Sequence, residues 1–119
     1  MLDVHPSRGL SWEAFIIDQM ISAYHRTVPG SRAFFWRTSA GDEVDLLMDL
    51  GKRKVPFEMK LHSAPGRQEG EGLRRCLRDL QLKREYIIYP GRETYSLGGG
   101  ITALPAAEIL FHPQDIARF

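Results

Sequence analysis

The sequence is poor in cysteine, in long apolar runs and in net charge. The single cysteine, Cys76, excludes an internal disulfide and a cysteine-rich zinc site, and it favours a reducing, cytoplasmic setting. No apolar run approaches the ~20 residues of a membrane span, and residues 1–8 lack the apolar core of a signal peptide. The phosphate loop G-x-x-x-x-G-K-[ST] is also absent, so no ATPase domain is expected in these 119 residues.

The chain has the length and composition of one domain, residues 1–119, with 43% hydrophobic residues. Its net charge is only +1, but the charge is unevenly distributed. Between Lys52 and Arg84 ten Lys/Arg stand against four Asp/Glu, a sum of +6, which leaves −5 for the rest. This basic middle is either a phosphate-binding face or a solvated helix and loop with internal ion pairs.

Hydrophobic periodicity predicts the order helix, three strands, helix, strand, and therefore an α/β or α+β fold with a mixed sheet flanked by helices. The first helix is expected from about Ser7 to Arg26, with Trp12, Phe15 and Ile16 widening its apolar stripe. Leu73, Cys76, Leu77 and Leu80 mark the second helix. The strands are predicted at Arg32–Thr38, Asp42–Leu50, Arg53–Leu61 and Arg84–Tyr89, and the first of them is expected to be buried. A short pair around residues 98–100 and a last helical turn follow.

The second and third strands form a predicted hairpin with a two-residue turn at Gly51-Lys52. This register places six apolar residues on one dry face: Val44, Leu46, Met48, Val55, Phe57 and Met59. On the other face Asp45 lies opposite Glu58, with β-carbons about 5 Å apart, and Lys60 lies opposite Glu43. Two opposed carboxylates indicate either a divalent cation between them or a solvated surface of exposed pairs.

Glu13 lies on the apolar side of the first helix, at 100° per residue, so its carboxylate is expected to face the sheet. A buried carboxylate needs a partner. The candidates are a metal or a lysine of the hairpin. The alternative is that Glu13 lies at the edge of the helix or neutralises a structural arginine such as Arg37.

Together, Glu13, Asp45, Glu58 and Lys60 resemble the motif of the PD-(D/E)XK nuclease superfamily, although Val44 replaces the motif proline. The chain is also similar to the domain of unknown function at the C-terminus of many prokaryotic AAA-type ATPases. The segments that carry this likeness are Gly9–Glu13, Phe35–Thr38, Glu43–Asp45, Phe57–Lys60, Tyr89–Gly91, Leu97–Ile101 and Leu104-Pro105.

The resemblance implies a nuclease that hydrolyses phosphodiester bonds in DNA, or alternatively in RNA, with Mg²⁺ or Mn²⁺. Asp45, Glu58 and the Met59 carbonyl would bind the metal, Lys60 would position or deprotonate water, and Glu13 would hold a second metal or orient Lys60. Weaker candidates for contacts to the nucleic-acid backbone are Arg37, Arg74 and Arg78. The alternative is a catalytically silent module of the same fold that binds nucleic acid or a partner AAA-type ATPase.

Overall fold

The structure is a computed structural model that describes residues 11–37, 43–60, 64–66, 74 and 77–119. Its first element is helix α1, Trp12–Thr27. Ser11 determines where the helix begins, because its backbone is extended and its Oγ accepts a hydrogen bond from the Ala14 N–H at 3.1 Å. The predicted start at Ser7 lies outside the described residues.

One face of α1 is buried, as the periodicity predicted. Its buried residues are Ile16, Ile17, Met20, Ala23 and Tyr24. The prediction that Trp12 and Phe15 widen this stripe is wrong, because their exposed fractions are 70% and 37%. Their rings instead pack edge to face against each other, with centroids 5.9 Å apart, at the first turn of the helix.

A six-stranded mixed sheet forms the centre of the fold, so the protein is a mixed α/β domain. The strands, in spatial order β1-β2-β3-β4-β6-β5, are β1 Arg32–Arg37, β2 Glu43–Asp49, β3 Lys54–Met59, β4 Glu85–Tyr89, β6 Ile101–Pro105 and β5 Tyr95–Gly98. The first three pair antiparallel, β3 pairs parallel with β4 and β4 with β6, and β5 is antiparallel to β6.

Strand β1 is an edge strand, and the prediction that it is buried is wrong. Phe34 and Phe35 are 40% and 51% exposed, although their aromatic character suggested a core strand. The guanidinium of Arg32 lies 5.4 Å from the centroid of the Phe34 ring and covers part of this apolar surface. An edge strand has a neighbour on one side only, so its aromatic side chains receive less cover.

Both faces of the sheet carry an apolar core. The first core joins α1 to Leu46, Met48, Val55, Phe57, Met59 and Ile88, and the C-terminal helix Ala106–Phe111 and the 3₁₀ helix Pro113–Arg118 add Ile109 and Ile116. The second core lies on the opposite face. It contains Val44, Leu47, Leu77, Ile87, Tyr89, Leu97, Ile101 and Ala103. The sheet is therefore flanked on both sides.

The predicted second helix lies mostly outside the described residues, including Leu73 and Cys76. Of its other predicted positions, Leu77 is helical and Leu77 and Leu80 pack in the second core. Within the described part of the chain, no helix has the length and apolarity to span a bilayer.

Candidate functional site

The predicted hairpin forms with the predicted register over most of its length. Gly51 has a φ of +89°, which the turn requires, and the Leu50 N–H donates to the Arg53 carbonyl at 2.9 Å. The observed pairs are Leu46–Phe57, Leu47–Pro56, Met48–Val55 and Asp49–Lys54, all as predicted. The ladder does not continue to the predicted pair of Asp45 with Glu58.

A β-bulge in β2 explains this departure. Phe34 pairs with Leu47 but Trp36 pairs with Val44. Between these two pairs the chain advances by two residues in β1 and by three residues in β2, so β2 contains one extra residue. The extra residue reverses the alternation of side chains, and Val44 joins the second core instead of the first. Five of the six predicted residues share the dry face, and the placement of Val44 there is wrong.

The bulge also determines what the Asp45 carboxylate contacts. Its Oδ2 accepts a hydrogen bond from the backbone N–H of Met59 at 2.8 Å, in the position where a ladder bond would otherwise form. A hydrogen bond from a neutral N–H to an ionised carboxylate is stronger than one between neutral groups. Asp45 is therefore fixed beside the Glu58–Met59 peptide, within the triplet Glu58-Met59-Lys60.

Glu58 and Lys60 lie on the face opposite α1. Phe57 and Met59, on either side of Glu58, belong to the first core, so strand alternation turns Glu58 to the other face. Both Glu58 and Lys60 are half-buried. The Lys60 N–H donates to the Ile88 carbonyl at 2.7 Å, which extends the pairing with β4 past the last residue of β3.

Glu85 is a further acidic residue of this face, and it is not among the site residues predicted from the sequence. It begins β4, shares its face with Ile87 and Tyr89, and has 0% exposure. Neither carboxyl oxygen has a hydrogen-bond partner among the residues that the structure describes. The sequence does indicate that Glu85 is unusual, because it is a charged residue at the first position of an otherwise apolar parallel strand, Glu85–Tyr89.

The environment of Glu85 favours its protonated form. Burial, with a smaller contribution from the negative charge of Glu58, raises the pKa of the Glu85 carboxyl to about 9. The two acids therefore interact across adjacent strands. Below this pKa the Glu85 carboxyl is neutral, so it adds no second full negative charge beside Glu58.

Glu13 is exposed, so the prediction that its carboxylate is buried against the sheet is wrong. It lies in the first turn of α1, next to Trp12, which lines a depression with Pro90 and Ala106 at the ends of β4 and β6. Because β3 and β4 are parallel, this is the same edge of the sheet at which β3 ends. Glu13 shares that edge with Lys60 but belongs to the helix on the opposite face.

The three arginines that were predicted to contact nucleic acid lie in different parts of the structure. Arg37 pairs with Glu43 through the backbone, and its side chain lies outside the described residues. Arg74 donates from Nη2 to the Leu97 carbonyl at 2.9 Å, which connects it to β5, and Arg78 is exposed. A role for any of them in nucleic-acid binding stays a prediction.

Within the described residues, no group of three or more His, Cys, Asp and Glu side chains is arranged to hold a metal ion. Glu13, Asp45 and Glu58 therefore do not form a three-carboxylate cluster. The oxygen donors that the structure brings together are the Asp45 carboxylate and the Glu58–Met59 segment.

The fold and this site define a mixed α/β domain with an aspartate held against a Glu-x-Lys strand end. Residues 8–109 match the family model described as a domain of unknown function, DUF4143, and the chain belongs to that family. Among curated proteins it is similar to uncharacterized proteins of Mycobacterium bovis and Mycobacterium tuberculosis, each 35% identical over 109 residues. These matches cover 92% of this chain but 23% of each relative. No solved structure matches the chain significantly.

Proposed function

We propose that this domain is a Mg²⁺- or Mn²⁺-dependent nuclease that hydrolyses phosphodiester bonds in DNA, on a restriction-endonuclease-like core of the PD-(D/E)XK type. The observation that carries the proposal is the 2.8 Å hydrogen bond from the Met59 N–H to Asp45 Oδ2. This bond brings the two parts of the motif into contact, since Asp45 belongs to β2 and the Glu58-Met59-Lys60 triplet lies at the end of β3. The element order of the superfamily, helix, three strands, helical segment and parallel strand, is consistent with it.

The donor set of this site fits a hard divalent cation. Asp45, Glu58 and the Met59 carbonyl supply oxygen, which Mg²⁺ and Mn²⁺ prefer, and Mg²⁺ typically keeps several waters besides one or two carboxylates. On the same face lies the buried carboxyl of Glu85, which has no hydrogen-bond partner within the described residues. When bound, the metal would polarise the phosphodiester and stabilise the charge that develops on it.

The protein's own side chains would then orient the attacking water and neutralise the negative charge that develops on the phosphate. Lys60, at the end of β3, would position or deprotonate the attacking water and would offset the developing negative charge. The Asp45–Met59 bond would keep the carboxylate oriented before DNA binds, which lowers the cost of ordering the site. Glu13, at the same edge of the sheet, would orient Lys60 or hold a second metal only after a movement that brings it from its exposed position.

A plasmid-nicking assay tests this function. The domain is incubated with supercoiled DNA in Mg²⁺, in Mn²⁺ and in EDTA, and Lys60→Ala is compared with Arg26→Ala, which removes an exposed cation of α1. We expect metal-dependent nicking by the wild type and by Arg26→Ala, and a loss of at least about 100-fold in Lys60→Ala, the lower end of general acid–base contributions. Nicking that survives in Lys60→Ala would contradict the mechanism.

The second candidate function is a catalytically silent module that docks a AAA-type ATPase. An apolar depression of about 230 Å³ favours it, lined by Trp12, Ile16, Pro90, Ala106 and Leu110, with the neighbouring Phe111 75% exposed. Such a surface is typical of an interaction site. The chain also spans only 23% of the length of the relatives, so a partner region of the longer proteins is the natural occupant. No nicking with any metal, together with binding of such an ATPase that Trp12→Ser abolishes, would favour this function over the nuclease.

A further inference from the structure

Five cationic side chains converge on one depression at the edge of the sheet where β3 and β4 begin. They are Lys52, Arg53, Lys54, Lys83 and Arg84, around a cavity of about 330 Å³. Leu82 and Phe119 supply part of its apolar wall, and no Asp or Glu is among the described residues that line it. Half of the ten cations in the basic middle of the sequence therefore meet at one place.

The parallel pairing of β3 with β4 causes this convergence. Phe57 pairs with Tyr86, and the same register carried back along both strands sets Lys54 level with Lys83. Neighbouring strands lie about 4.8 Å apart, so the two basic segments form adjacent rows at the start of the strands. Residues that are 29 positions apart in the sequence, such as Lys54 and Lys83, are therefore neighbours on adjacent strands.

The backbone on the β4 side of the depression is fixed by a helix-ending motif. The Leu82 N–H donates to the Leu77 carbonyl at 2.7 Å and the Gln81 N–H to the Arg78 carbonyl at 3.2 Å, while Gln81 has a φ of +55°. These are the two hydrogen bonds and the left-handed residue of a Schellman motif, and Leu77 and Leu82 make its apolar contact in the second core. The segment that carries Lys83 and Arg84 is therefore preorganised.

The cations themselves are presented to solvent. Lys52, Lys54, Lys83 and Arg84 are exposed, and no ion pair to them occurs in the described part of the chain. Arg53 is anchored, because its guanidinium donates to the Ala117 carbonyl at 2.7 Å and to the main-chain oxygen of Phe119 at 2.8 Å. The nearest carboxylate by strand pairing is Asp49, opposite Lys54, and its Oδ1 accepts from the Gly51 N–H at 2.9 Å.

We propose that this basic depression is a second nucleic-acid contact, which binds phosphates of the DNA backbone away from the Asp45–Glu58–Lys60 site. A concave surface with several cations, and with no Asp or Glu among the described residues that line it, attracts a polyanion. Arg84 can donate two parallel hydrogen bonds to one phosphate. The inference rests on the proposed function only for the choice of DNA as the polymer, and it does not require the metal site to work.

The two sites have a separation that one DNA molecule can bridge. Lys54 begins β3 and Glu58 lies four residues later, which at about 3.3 Å per residue is roughly 13 Å along the strand. At about 3.4 Å per nucleotide of one DNA strand, that distance corresponds to roughly four nucleotides. The basic depression would therefore hold the backbone a few nucleotides from the bond at the candidate site.

Fluorescence anisotropy with a labelled DNA duplex in EDTA tests the proposal without cleavage. Lys54→Ala/Lys83→Ala is compared with Arg26→Ala/Arg92→Ala, which removes the same charge from exposed positions outside the depression. Each phosphate contact is worth about eightfold in affinity at ~0.1 M salt. We expect the first variant to bind roughly 10- to 60-fold more weakly, and its slope of log K against log salt to become shallower by about 2.

Three outcomes would overturn the proposal. One is an equal loss in both double variants, which would indicate general electrostatics. Another is no loss in Lys54→Ala/Lys83→Ala with an unchanged salt slope. The last is displacement of DNA by polyglutamate at equal charge concentration, which would indicate a site for acidic protein. Repeating the titration with Asp45→Asn separates this test from the nuclease proposal, because the wild-type affinity in EDTA should be kept.

Discussion

Replacing Glu85 with glutamine isolates the contribution of one buried carboxyl to the pH dependence of stability. The side chain is fully buried and has no hydrogen-bond partner in the described part of the chain. Burial, together with Glu58, raises its pKa from 4.5 to about 9. Between these values the folded protein keeps a proton that the unfolded chain releases. The stabilisation from Glu85 is therefore complete below the unfolded pKa and is lost as the pH rises toward the folded pKa.

The magnitude follows from the proton count. One proton bound in the folded state alone lowers the free energy of unfolding by about 1.4 kcal/mol for each pH unit of increase. From about pH 5.5 to about pH 8, the Glu85 contribution should decrease by about 3 kcal/mol. Glutamine has nearly the same shape and no proton to release, so this part of the pH dependence should disappear in Glu85→Gln.

Urea unfolding in EDTA at several pH values measures the difference directly. The readout is the change of the unfolding free energy with pH. Burial of the glutamine amide can lower the stability of the variant by a constant amount, but this does not affect the pH dependence. Glu108→Gln, an exposed carboxylate of the C-terminal helix, serves as the control and should keep the wild-type dependence. Parallel curves for the wild type and Glu85→Gln would refute the assignment of a buried, protonated Glu85.

Three further substitutions test how the fold is stabilised, each by urea unfolding. Ser11→Ala removes the hydrogen bond to the Ala14 N–H and should lower the free energy of unfolding by about 1 kcal/mol, while Ser11→Asp should keep it. Met20→Ala should cost about 2–5 kcal/mol, because Met20 is fully buried in the first core; a cost under about 1 kcal/mol would contradict that packing. Gly100→Ala should cost more than about 1 kcal/mol, because Gly100 has a φ of +87° and a Cβ there would collide with the Lys83 carbonyl; a neutral result would contradict this turn.

The hairpin could be predicted from the sequence because its determinants are local. Alternation of apolar and polar residues and a glycine at the first turn position fix four pairs, from Leu46–Phe57 to Asp49–Lys54. The bulge could not be predicted in the same way. It arises from the pairing of β2 with β1, a separate strand, and it redirects both Val44 and Asp45.

The other features that could not be predicted from the sequence depend on which elements become neighbours in the fold. Glu85 is buried because β4 lies between β3 and β6, and the basic depression forms because β3 and β4 begin at the same edge. Neither neighbourhood follows from periodicity along one segment. Helical periodicity also gave the wrong environment for Glu13, because the angle around a helix does not say whether the first turn is covered.

The central claim is that Asp45 and the Glu58-Met59-Lys60 strand end form a divalent-metal site. Calorimetric titration of Mn²⁺ and Mg²⁺ into the wild type and into Asp45→Asn tests it most directly. Asparagine keeps an oxygen that can accept from the Met59 N–H, so the variant removes the charge while preserving the local bond. We expect saturable heat for the wild type and a loss of most of it in Asp45→Asn; equal or negligible heats for both proteins would contradict the metal site.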